Sequence, residues 1–172
     1  MERRGLIGLI VVVLGINAFF TYVGNYFLPQ AESHPPKKIE IKEGISQDEL
    51  ISIGSDIVFS KGQCMVCHPM EEETGMRAPA VSTIGHRMEE EAKQRGITPE
   101  EHVFEALVNP MAYIAEGFIP MMPPVHKPPT ALSDGELIAV AAFLQSKGGS
   151  VTVSYPESLS VLHKEIEKAG GR

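Results

Sequence analysis

The chain has only two cysteines, and both stand in one motif, Cys64-Met65-Val66-Cys67-His68. This is C-x-x-C-H, a spacing with a specific chemical meaning. Two intervening residues let both sulfurs reach the two vinyl groups on one haem edge, and the histidine that follows is carried beneath the iron. A thioredoxin-like dithiol expects a βαβ context, and a zinc site expects a second Cys/His pair. Neither accompanies this motif. Cysteines this close cannot staple a fold, so a disulfide framework is excluded.

The elements that must carry the motif are bounded by length and charge. At 172 residues the chain holds one ordinary domain with appendages, and its formal net charge is -7. The first four residues contribute a net +1 through Glu2, Arg3 and Arg4, which leaves -8 on the remainder. Such a body disfavours nucleic acid and suits basic partner surfaces.

Gly5 through Leu28 contains no charged residue. Its roughly 24 residues, at about 1.5 Å each, are enough to cross a ~30 Å hydrocarbon core. Arg3 and Arg4 precede it, and Phe19, Phe20, Tyr22, Tyr26 and Phe27 crowd its far half. That pattern predicts a single-pass anchor over residues 1–28 with the N-terminus in the cytoplasm and the rest on the periplasmic or other extracytoplasmic side. A cleaved signal peptide competes, but the apolar run exceeds a usual signal core and no small-x-small site follows. Asn17, Thr21 and Asn25 recur along one helix face, a pattern compatible with contact to another membrane helix or with simple tolerance of mild polarity. Residues 29–45, with His34-Pro35-Pro36-Lys37-Lys38, read as an extended linker.

Three helix starts then share one chemistry, a Ser or Thr N-cap with Glu three residues later: Ser46 with Glu49, Thr98 with Glu101, and Ser133 with Glu136. The first helix is expected to run to about Ser60, the second to end before Pro110, and the third to stop at Lys147-Gly148-Gly149. A shorter helix is expected around His86 to Gln94. Val151 to Tyr155 is the only candidate strand, so the fold class is all-α. Residues 149–172 read as a C-terminal extension with an amphipathic helix between Ser158 and Lys168.

Over residues 46–148 the chain resembles the class I cytochromes c. The C-x-x-C-H follows the first helix, and Gly54 and Phe59 look like the glycine and aromatic that pack against the family's last helix. Arg77-Ala78-Pro79-Ala80 is similar to the Gly-Pro-x-Leu turn, whose proline carbonyl accepts the Nδ1–H of the proximal histidine; Ala78 and Val81 depart from that pattern. Asn109-Pro110-Met111-Ala112-Tyr113, Glu116-Gly117-Phe118 and Met121-Met122-Pro123-Pro124 resemble the stretch that delivers the sixth iron ligand, where methionine directly precedes proline. The resemblance implies one covalent haem c on Cys64 and Cys67, iron ligands His68 and Met122, and Pro79 orienting His68. Met121 is the rival to Met122.

Core packing is the expectation for Met65, Met70, Met76, Met88 and Met111. Exposed or capping roles are expected for His86, His102 and His126, while His34 and His163 lie outside the domain. Arg77 and Arg87 are candidates for the haem propionates or for the surface, and Glu71-Glu72-Glu73 and Glu89-Glu90-Glu91 for solvated faces. The function that the resemblance implies is single-electron transfer without a small-molecule substrate. Its partners would be a quinol-oxidising complex and a downstream oxidase, soluble carrier or reaction centre, and the architecture looks like the monohaem subunits of assemblies such as alternative complex III. A gas sensor with a labile sixth ligand is the competing reading, and a peroxidase a more distant one.

Overall fold

The computed structural model describes residues 2–27 and 39–171, so the linker's His34 and its prolines lie outside the described residues. Residues 1–37 and 38–172 form two units. The first holds α1 (Glu2–Tyr26), which over Arg3–Tyr26 is long and apolar enough to cross a membrane. Its aliphatic and aromatic side chains are exposed along its length. The Asn17 and Asn25 side-chain amides donate to the carbonyls of Val13 and Thr21, at 3.2 and 2.9 Å, so their polarity is satisfied one turn back within the helix.

The second unit is helical, and no strand occurs among the described residues. Its helices are α2 (Gln47–Phe59), α3 (Ile84–Arg95), α4 (Pro99–Val108), α5 (Asp134–Gln145) and α6 (Leu159–Lys168). Each expected N-cap is made. Ser46 accepts from the Glu49 amide, and Thr98 and Ser133 close reciprocal boxes with Glu101 and Glu136.

α5 is apolar around its whole circumference and sits at the centre, with Leu137 through Leu144 buried on every side. A helix of that kind needs neighbours all round. α2 crosses it most extensively, α3 and α4 lie against it, and α4 is backed in turn by α6. The α2–α5 crossing depends on Gly54, where a Cβ would lie 2.6 Å from the Ala139 carbonyl carbon and 2.9 Å from Phe143 Cβ. Phe59 meets Phe143 edge to face, with centroids 6.1 Å apart.

One feature differs from the sequence expectation. Val151 to Tyr155 is not a strand, because no second strand pairs with it; the side-chain oxygen of Gln145 accepts from the amides of Thr152 and Val153 at 2.8 and 3.3 Å, and Gln47 donates to the Val153 carbonyl at 3.0 Å. The helix expected in the C-terminal extension forms as α6. Val153 and Leu162 are fully buried and belong to the same core as α2 and α5.

Candidate functional site

The C-x-x-C-H motif follows α2 through a tight corner. The Gly62 amide donates to the Ile57 carbonyl at 2.7 Å, where a Cβ on residue 62 would lie 2.8 Å from the same oxygen. Gln63 turns the chain in the left-handed region at φ 54. Cys64–Val66 then form one 3-10 turn, and the Cys67 and His68 amides both donate to the Cys64 carbonyl, at 3.2 and 3.0 Å. This turn brings Cys64, Cys67 and His68 to the wall of one cleft. No disulfide joins Cys64 to Cys67, and burial pushes the Cys64 thiol above its usual pKa against a smaller opposing backbone hydrogen bond.

The loop that faces His68 is zipped to it. The Val81 and Ser82 amides donate to the carbonyls of Pro69 and Met70, both at 2.9 Å, and this register puts the Pro79 carbonyl 2.8 Å from His68 Nδ1. A carbonyl can only accept, so Nδ1 carries the proton and Nε2 is left with its lone pair. Burial holds the His68 imidazole below its usual pKa, with the Pro79 hydrogen bond pulling the other way. A neutral imidazole with Nε2 free of its proton is the form that binds a metal.

The cleft has a volume of about 310 Å³ and is bounded by α3, α4, the motif and the segment from Pro110 to Thr130. Ile84, Met88, Ala106, Ile114 and Val125 make it largely apolar. The Pro110–Thr130 segment contains Gly117 in the left-handed region at φ 88, which a residue with a Cβ rarely adopts, followed by Pro120, Pro123 and Pro124. Met121 and Met122 both line the cleft, but they differ. Met122 is half-buried and packed on the core, whereas Met121 is exposed.

The remaining expectations divide. Met88 is buried, Met65 is packed against the core and Met76 is half-buried, but Met70 and Met111, which sit outside the helices, are exposed. His86 is exposed and lies 3.9 Å from Glu90, and His163, exposed on α6, lies 3.0 Å from Asp134. His102 and His126 are buried, contrary to expectation. His102 sits on the inward face of α4 beside Val103, and its polarity is met across helices by Glu91 and Arg95. Arg77 and Arg87 line the cleft, with the Arg87 guanidinium 5.4 Å over the Phe118 ring.

The sequence reading missed Lys61 and the cluster around His102. Only the Glu91-to-Arg95 spacing of one helical turn on α3 hinted at the latter.

The residues present fit a haem: two thiols and an imidazole with its Nδ1 fixed lie on one wall of an apolar cleft, with a thioether seated on its lining. The family model described as cytochrome c matches residues 53–147. No curated protein matches the chain.

Proposed function

Since the chain belongs to the cytochrome c family, whose members carry covalently attached haem c and transfer electrons, we propose that it is a membrane-anchored one-electron carrier with His68 and Met122 as its iron ligands. Cys64 and Cys67 hold the haem through two thioethers, and Pro79 fixes the His68 ring through Nδ1. The observation that carries this reading is the seating of Cys64, Cys67, His68 and Met122 on one apolar cleft. Haem would supply the redox-active iron, and a soft thioether as its second protein ligand would favour the ferrous state and a comparatively high potential.

α1 is the anchor in this reading. Arg3 and Arg4 stay on the cytoplasmic side, and the haem domain works on the opposite face of the membrane. A tether of this kind keeps the domain beside a membrane complex, so the donor is a quinol-oxidising assembly and the acceptor an oxidase, a soluble carrier or a reaction centre. The test is direct. Extraction of the holoprotein with acidified acetone should leave the haem on the chain, and the oxidised protein should show the far-red methionine-to-iron charge-transfer band. Haem lost to the acetone, or a missing band together with carbon monoxide binding in the unmodified protein, would replace the carrier with a noncovalent haem protein or a gas sensor.

A further inference from the structure

A polar cluster on the α3–α4 side of the cleft plays no part in holding the thioethers or the iron ligands. His102 is only 2% exposed, and both ring nitrogens are engaged. Nδ1 lies 2.8 Å from the Arg95 guanidinium, and Nε2 lies 3.0 Å from the Glu91 carboxylate. A guanidinium can only donate, so Nδ1 accepts, and Nε2 carries the proton and donates it to Glu91. The partners therefore fix the tautomer.

The cluster extends on both sides. Arg95 also pairs with Glu105, whose hydrogen bond holds the guanidinium above its usual pKa, and its guanidinium lies 4.6 Å over the Tyr113 ring. Tyr113 stands edge to face with His102 at 5.3 Å. Glu91 has Arg87 as a second partner at 3.8 Å. Among charged groups on neighbouring elements, Lys168 and Glu165 of α6 pair with each other on the Glu105 side, and Glu136 of α5 is bound to Lys61. Arg87 and Arg95 thus balance Glu91 and Glu105 around one neutral imidazole. Arg87, Glu91, His102 and Tyr113 all line the cleft.

We propose that His102 is a positioning residue for electron transfer: by accepting from Arg95 and donating to Glu91 it couples the Glu91 carboxylate, which lines the haem cleft, to the Arg95 guanidinium and damps the carboxylate's pull on the iron. The proposal rests on the cleft being the haem seat. A carboxylate at the edge of an apolar cleft stabilises ferric over ferrous iron, and its field is felt more strongly there than in water. Losing the Nε2–H donor therefore exposes that field, and losing the carboxylate removes it.

The experiment is a redox titration of the full-length holoprotein and of His102→Leu, His102→Gln and Glu91→Gln, at one pH, with unfolding midpoints measured in parallel. His102→Leu should lower the potential and Glu91→Gln should raise it. His102→Gln should stay near the unmodified value, because one amide can accept from Arg95 and donate to Glu91 together. Shifts of the same sign in His102→Leu and Glu91→Gln, or a His102→Leu variant that loses stability at unchanged potential, would overturn the proposal. If His102→Leu does not fold, Glu91→Gln decides: a raised potential supports the relay and an unchanged one sinks it. Covalent haem on Cys64 and Cys67 in the unmodified protein is scored separately, so failure of the seat is distinguishable from failure of the relay.

Discussion

The Lys61 ammonium lies 2.8 and 2.7 Å from the two carboxylate oxygens of Glu136 and so joins the corner before Cys64 to the first turn of α5. The same carboxylate accepts from the Ser133 amide and hydroxyl, at 2.8 and 3.1 Å, while its side chain is 2% exposed. One buried group thus caps the central helix and ties down the attachment loop. Burial pushes the Glu136 carboxyl up, but the Lys61 hydrogen bond and the two from Ser133 outweigh it, so its pKa is lowered on balance.

A carboxyl whose folded pKa lies below its unfolded value stabilises the fold above the unfolded value, and that contribution is lost as pH falls through the folded one. Lys61→Met leaves the carboxylate buried without its cation. It should cost about 3 kcal/mol at neutral pH, and it should shrink the loss of stability on acidification. Denaturant unfolding between roughly pH 3 and pH 7 measures both.

Gly54→Ala should be among the most damaging small substitutions in the chain. The new methyl group meets the Ala139 backbone, which cannot rotate aside, so α2 and α5 must move apart. A loss of about 3 kcal/mol, at the upper end for overpacking, is expected. It would be read as a lowered unfolding midpoint and a reduced yield of holoprotein.

Met122→Ala should abolish the far-red charge-transfer band, lower the potential and open the iron to carbon monoxide, whereas Met121→Ala should leave all three nearly unchanged. The half-buried packing of Met122 against the exposure of Met121 sets this order. Visible spectra of the oxidised variants, and of the reduced ones under carbon monoxide, settle it. Loss of the band in Met121→Ala alone would shift the register by one.

Removing residues 1–28 and supplying a cleavable export signal should release a soluble haem-bearing domain, because α1 is, among the described residues, the helix long and apolar enough to span a membrane. Centrifugation of cell fractions and haem staining of the supernatant measure this. Haem staining that stays with the membranes would show a second means of attachment.

Local chemistry makes much of this legible in the sequence itself. Ser46, Thr98 and Ser133 announce helices because a hydroxyl and a glutamate three residues on satisfy amides within one turn, and each helix begins there. Pro79 was reached through resemblance, and its carbonyl does lie at hydrogen-bond distance from His68 Nδ1. The second role of Glu136 was invisible, because its partner lies 75 positions upstream, where no period points. The burial of His102 is hidden for a related reason: a histidine in a helix looks solvated until the carboxylate and guanidinium that meet it from another helix are known. Val151 to Tyr155 has the composition of a strand, but a strand also needs a partner, and composition does not supply one.

The crossing of α2 and α5 also dictates an order of events. Gly54 and Ala139, which touch there, are separated by most of the domain, so a chain synthesised from its N-terminus presents Cys64 and Cys67 long before the helix that closes over α2 has emerged. Contacts this distant in sequence form late, because closing so long a loop costs entropy that only the finished interface repays. Until that interface forms, Cys64 and Cys67 stand on a chain that α5 has not yet closed against α2.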